Sequence, residues 1–508
     1  MTARIRCSLF LGTLGLIATA WAVQAADPVP QPASPSKEKP AESASQASLN
    51  PAIKPKPLAE KTVKGLTYLV NQQDSATGGW GQRGGWRQAS SGGGRVEGND
   101  VKDPPDVGNT CAATLALIRS GSTPKEGLYA KNINKGFDFI CEQVEKADSD
   151  SLYVTDIRDT QLQVKIGTYV DTFLAALVLS ELKGQMASPK DEVRLAAALK
   201  KTIGKIERNQ KQDGTFAGNN GWASVLSQSL CTKGLNRAAQ KGVAVKKETL
   251  DRDFGQAVAS LDAKSGQFKT TREMSVAGVG GVGAGGAGVG FGARSTRVPA
   301  VAATGGVKVA ASAPPAAGGT ASAAPSVAAP AIPAASAAPS DAGVPLYAAA
   351  NAGRIQEQAN TNIQVEKHAK EVLADGKASA RTKQDASDDL TRVAKVAQAN
   401  KASVEGLIRR LDDKQFLAGF GNNGGEEFLS YMTLSETLLA KGGTDWLAWD
   451  KAISENLHRV QNQDGSWSGQ HCITGRSFTS AAALLTLMAD RAPLPIADQV
   501  KGAKQAAK

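Results

Sequence analysis

Two kinds of apolar segment alternate along the chain. In the first, hydrophobic residues recur at helical spacing among charged ones, as in the stretches leading up to Val70, Ile206 and Leu457. In the second, helical segments are rich in small apolar residues: residues 110–118, 169–182, 223–235, 428–439 and 479–488. An amphipathic helix covers a core with one face, whereas a helix that is apolar all round must be buried. The alternation predicts an all-α fold in which outer helices pair with inner ones.

The joints between the two kinds repeat. One reads Leu457-His458-Arg459-Val460-Gln461-Asn462-Gln463-Asp464-Gly465-Ser466-Trp467. Another reads Ile206-Glu207-Arg208-Asn209-Gln210-Lys211-Gln212-Asp213-Gly214-Thr215-Phe216. A looser copy runs from Leu69 through Asn71 and Asp74 to Trp80, and a degenerate one is Ser265-Gly266-Gln267-Phe268. Asp-Gly stops the outer helix, because glycine takes the left-handed backbone at little cost. The aromatic is expected to pack back on the helix just finished. The glutamine is expected to bond backbone groups left open at helix ends. About five to six such pairs are legible, and six would close a ring.

Gln-x-x-Asp-Gly-x-Trp after an outer helix resembles the repeat of squalene–hopene cyclases and related protein-prenyltransferase toroids. Gln461, Asp464, Gly465 and Trp467 match it in full; Gln210, Asp213 and Gly214 match with Phe216 in place of Trp. In the first copy Asn71 stands where Gln is expected, and extra residues separate Asp74 from Trp80. The resemblance covers roughly residues 58–270 and 400–490. It implies an α/α-toroid of the terpenoid-cyclase and prenyltransferase type with about six helix pairs. The repeat marks a fold rather than a reaction.

The family's chemistry is not reproduced. Cyclases of this type protonate a polyene from Asp-x-Asp-Asp, which the chain lacks; Asp385, Asp388 and Asp389 have the wrong spacing, and Asp156 with Asp159 reads as a loop. The Asp-Asp-x-x-Asp magnesium motif and the Gly-Cys-Gly-Glu-Gln of thioester toroids are also missing. Aromatics, which a carbocation cavity needs, make up 5% of the chain. Protein prenyltransferases hold zinc with Asp, Cys and His. A closed ring would bring Cys111 near His471 and Cys472, with Asp106 or Glu427 as a fourth ligand. The rival readings of the same residues are a Cys111–Cys472 disulfide and two cysteines that are free or otherwise paired. No cofactor is the leading expectation, with zinc as the alternative.

Inner-helix N-termini gather at one end of such a toroid. Asn220, Trp222, Asn423, Glu427, His471 and Arg476 would border its cavity and suit a polar or anionic ligand. The plainer reading is that they cap their helices. A glycan-active α/α barrel would need paired carboxylates among Glu426, Glu427, Asp171 and Asp159, although acids in a first helical turn also serve the helix dipole.

The flanking sequence sets the compartment. Residues 1–25 read as a signal peptide: Arg4 and Arg6, an apolar run over 9–20, and Val23-Gln24-Ala25 as the cleavage site. The mature protein is therefore expected to be exported, periplasmic or extracellular. Residues 26–57 read as a disordered linker, 58–274 as the first part of the toroid, and 275–345 as a disordered Gly/Ala/Pro insertion. Polar helices follow over 346–412, the last part of the toroid over 413–492, and a basic tail over 493–508. The net charge of +11 is spread among acids, with no basic block interleaved with aromatics, so a nucleic-acid groove is not expected. Beyond the leader no stretch has the length and apolarity of a membrane span. Cys111, Cys141, Cys231 and Cys472 contain no Cys-x-x-Cys.

Together these features point first to a non-catalytic binding or envelope-scaffold module, whose partner is a small or lipid-like ligand or an envelope protein. An enzyme acting on an isoprenoid is the first alternative, and a glycan-active barrel the second.

Overall fold

A computed structural model of the chain describes residues 55–84, 86–88, 95–97, 104–269, 344–419 and 424–493. The expected signal peptide, nearly all of the linker and insertion, and all but the first residue of the basic tail lie outside the described residues.

The fold is all-α. Six charge-rich helices each bury one face: α1 (Glu60–Gln72), α3 (Ala130–Lys146), α6 (Pro189–Asn209), α8 (Lys247–Val258), α10 (Ala380–Ile408) and α13 (Gly443–Arg459). In α3, for example, Ile133, Phe137, Ile140, Cys141 and Val144 fall on one stripe. Six others are buried over most or all of their circumference: α2 (Val107–Arg119), α5 (Val170–Leu182), α7 (Ser224–Gln240), α9 (Ala348–Ala374), α12 (Gly425–Lys441) and α14 (Arg476–Leu487). Apart from Ala369, burial of α9 is confined to its first half, as far as Asn362. Two short helices, α4 (Gln161–Ile166) and α11 (Lys414–Leu417), two 3-10 turns (Pro345–Tyr347 and Ala489–Arg491) and two small antiparallel hairpins complete the described elements. The hairpins are β1 (Trp86–Gln88) with β2 (Arg95–Glu97), and β3 (Leu261–Asp262) with β4 (Gln267–Phe268).

The buried helices pack in a cyclic order. α2 lies against α5, α5 against α7, α7 against α9, α9 against α12, α12 against α14, and α14 against α2 again. The charge-rich helices pack against members of this cycle: α1 against α14 and α2, α3 against α2, α6 against α5, α8 against α9 and α7, α10 against α9, and α13 against α12 and α14. Among the described residues no helix is long and apolar enough to cross a membrane.

The joints explain how one pair is fastened to the next. The Trp467 indole donates to Leu457 O at 2.8 Å, and Trp80 to Leu69 O at 2.7 Å, so each ring folds back on the helix just ended. Asp464 accepts from the backbone of Ser466 at 3.0 Å, as Asp213 does from Thr215 at 2.9 Å. Gln461 donates both to Gly465 O within its turn and to Lys61 O in α1, each at 2.8 Å. Gln210 likewise reaches Thr249 O in α8 at 3.2 Å. The turn glutamine thus links the end of one outer helix to the start of the next.

Two expectations are corrected here. In the first joint the residue that plays the glutamine's part is Gln73, not Asn71: its amide donates to Gly78 O at 2.7 Å and to Asn132 O in α3 at 3.0 Å. The longer turn moves the useful position closer to Asp74. Of the polar helices of 346–412, α10 is mostly exposed, but α9 is not peripheral. α9 occupies a place in the cycle between α7 and α12, with Asn351, Arg354, Glu357, Asn360 and Asn362 all buried. Arg354 among them pairs with Asp253 at 2.6 Å and donates to Thr232 at 2.9 Å.

Gly465 carries a direct prediction. Its φ is 92°, and a Cβ there would meet Lys64 O of α1 at 2.6 Å. Gly465→Ala is expected to lower the unfolding free energy by more than about 1 kcal/mol. Urea denaturation measures it, and an unchanged midpoint would remove the turn from the forces that hold the last pair to the first.

Candidate functional site

The interior of the helix cycle differs between its two ends. Toward the C-terminal ends of α2, α5, α7 and α12, and midway along the buried part of α9, six charged side chains meet out of water. Glu181 pairs with Arg119 at 2.5 Å, and Arg119 approaches Glu436 at 3.6 Å. Glu436 pairs closely with Lys233, Lys233 with Glu357 at 3.2 Å, and Glu357 with Arg237 at 3.1 Å. None of these side chains is more than 5% exposed. Charges alternate along the chain, so each ion has an opposite neighbour, which is what a desolvated charge requires. Burial alone would raise the Glu436 carboxyl; Lys233, Arg119 and Arg237 outweigh it and hold the group at about 2. Glu181 goes the other way, raised by burial more than Arg119 and Arg237 lower it.

The opposite end is where the inner helices begin. α12 opens with Glu426 and Glu427 in its first turn, both fully buried. The loop before α14 lays His471, Cys472 and Ile473 against them. Gly425 N donates to Ile473 O at 3.0 Å, and Ile473 N donates to a Glu426 carboxylate oxygen at 3.3 Å. Gly424 permits this approach, because a Cβ there would come within 2.7 Å of the His471 ring. Glu427 accepts from Gly424 N and from the Tyr347 hydroxyl, both at 3.0 Å, and stands 3.6 Å from His471 Nε2. From the far side α4 closes the loop down: the Gln161 amide donates to Cys472 O at 2.5 Å.

The electrostatics follow from that packing. Burial first, and then the neighbouring Glu427, lift Glu426 to about 7. Burial and the adjacent Glu426 push the Cys472 thiol up to about 12. A carboxyl poised near neutrality beside a thiol and an imidazole can exchange a proton or give an oxygen to an electrophile.

The residues singled out in the sequence separate into three groups. His471 and Glu427 meet, together with Cys472 and Glu426. Arg476 sits apart from them in function: its guanidinium bonds Asp464 at 2.8 Å, within the preceding turn. Asn220 bonds Thr168 through its backbone, and Trp222 is exposed at the start of α7. Asn423 lies outside the described residues. Asp106 caps α2, accepting from Asn109 N at 2.7 Å, and Asp171 is buried against Gln163.

Cys111 does not join His471 and Cys472. It is sealed in α2, its thiol pushed far up by burial, with Asp171, Asp106 and Cys141 as its ionisable neighbours. The four described cysteines are all free, so the Cys111–Cys472 disulfide is not formed. Tyr347 and Gln161 were not visible as site residues. Tyr347 stands just past the low-complexity stretch, and Gln161 on a helix too short to show a period.

Comparison with protein-family models, curated proteins and solved structures finds no match.

Proposed function

We propose that this protein is an exported α/α-toroid that binds a small polar ligand at the end of the ring where the inner helices begin, and that it does not cyclise or transfer isoprenoids. The cyclic order of six buried helices and the Gln–Asp–Gly–aromatic joints support the toroid and its likeness to the cyclase and prenyltransferase repeat. The observation that carries the functional reading is the alternating chain of six buried charges from Glu181 to Arg237. A polyene or prenyl chain needs an apolar, aromatic-lined interior. An ionic network in that position makes the interior costly for hydrocarbon, because displacing any member strands its partner. Binding is left to the polar end around Glu427, His471 and Gln161.

The glycan-active alternative is less well supported. Its two carboxylates must face each other across a bond, at about 5–9.5 Å. Glu426 and Glu427 are neighbours in one helical turn, and both are fully buried.

Native mass spectrometry of the protein recovered from the exported fraction tests the proposal. A polar adduct that is retained by the wild type and lost in Gln161→Ala is expected. A retained lipid, or release of diphosphate from farnesyl diphosphate or of cyclised product from squalene, would overturn it.

A further inference from the structure

The geometry points to a zinc site formed by Glu426, His471 and Cys472, with one coordination position left open. The site goes beyond the ligand-binding reading and does not depend on it. One donor atom from each residue, a carboxylate oxygen, a ring nitrogen and a thiol sulfur, all lie within 4.8 Å of one another.

A second observation points the same way. Glu426 is fully buried with its carboxyl in hydrogen-bond reach of the Cys472 thiol, yet no nitrogen or oxygen donor meets its Oε1 among the described residues. A buried carboxylate oxygen left unbonded costs free energy unless something else meets it. A cation between Glu426, His471 and Cys472 would do so.

The donor set selects the ion. Sulfur and imidazole nitrogen do not suit calcium or magnesium, which take oxygen ligands. One thiolate, one imidazole and one carboxylate suit zinc in tetrahedral geometry, and three protein ligands leave a fourth place for water or ligand. On binding, the Cys472 S–H bond breaks, its proton goes to solvent, and the thiolate takes the metal. The surroundings are those of an oriented ligand. Glu427 stands 3.6 Å from the His471 ring and is itself fixed by Gly424 N and Tyr347. Such outer carboxylates hold a ligating imidazole in place. Gln161 fixes the Cys472 carbonyl from the other side. The set differs from the one that sequence resemblance implied, since Glu426 stands in for Cys111.

The test uses the full mature chain, stripped with a chelator and then titrated with zinc against a colorimetric zinc indicator, and in parallel with cobalt. About one equivalent of tightly held zinc per chain is expected. Cobalt should give a near-ultraviolet sulfur-to-metal charge-transfer band. Cys472→Ser should abolish that band, and Glu426→Gln and His471→Ala should each weaken zinc binding by about tenfold or more. Cys111→Ser should leave both readouts unchanged. Far-UV circular dichroism checks that each variant is folded, and Cys472→Ser, which changes one atom at a half-buried position, keeps the test decisive if a buried variant is not. Failure to bind zinc stoichiometrically, or a band that survives in Cys472→Ser, overturns the site. Neither result touches the polar-ligand reading, which rests on a different measurement.

Discussion

Replacing Glu436 with alanine should destabilise the protein by about 3–5 kcal/mol, one of the two largest effects expected of a single substitution. Glu436 sits between Lys233 and Arg119 with 5% of its side chain exposed. Removing it leaves Lys233 with only Glu357, which Arg237 already engages. Desolvation of Lys233 is then no longer offset. Adding Lys233→Met should recover most of the loss, because Arg119–Glu181 and Arg237–Glu357 remain as complete pairs. Urea denaturation of the two single variants and the double gives the coupling between them. Additive losses would mean that the two side chains do not form a unit.

The same residue sets a pH dependence. Its carboxyl is held at about 2, below its ordinary 4.5, so the stability it contributes is present above 4.5 and is lost as pH falls toward 2. Glu436→Gln should flatten that acid limb. Glu181, raised by burial, acts in the opposite sense and takes up its proton first.

Trp467→Ala is expected to cost about 3–5 kcal/mol by emptying a fully packed site. The indole has no exposed surface, and it fills the space over Gly65 of α1, where a Cβ would come within 2.6 Å of the ring. It therefore joins the last outer helix to the first. Trp467→Phe separates packing from hydrogen bonding. It retains a ring and loses the 2.8 Å bond to Leu457 O, so the expected cost falls to about 1 kcal/mol beyond the lost volume. Phe216 already serves the equivalent joint without an N–H donor. Equal losses for the two variants would show that the hydrogen bond, not the packing, fastens the joint.

Much of this architecture was legible because it is local. Helical period distinguishes outer from inner helices, and Asp464-Gly465 or Asp213-Gly214 fixes a turn through bonds to residues within two positions. Five of the six buried helices are legible in the sequence to within a few residues, and Trp80 and Trp467 pack where the spacing of their joints places them. These features need only the chain's own near neighbours.

What was hidden is whatever depends on the cycle of helices as a whole. The pairing of Arg119, Glu181, Lys233, Arg237, Glu357 and Glu436 is not legible in sequence, because their partners are on other helices. The polar first half of α9 reads as exposed for the same reason. His471 and Cys472 stand out as chemistry in the sequence, but the order of the helices alone makes Cys111 their companion. Helix order places two segments side by side without fixing which way their side chains turn. Cys111 turns into the packing between α2 and α3, beside Cys141, while Glu426 turns toward the loop that carries Cys472. Rotation of each helix about its axis is set by burying its neighbours' surfaces all round the cycle, and only the tertiary structure contains that information.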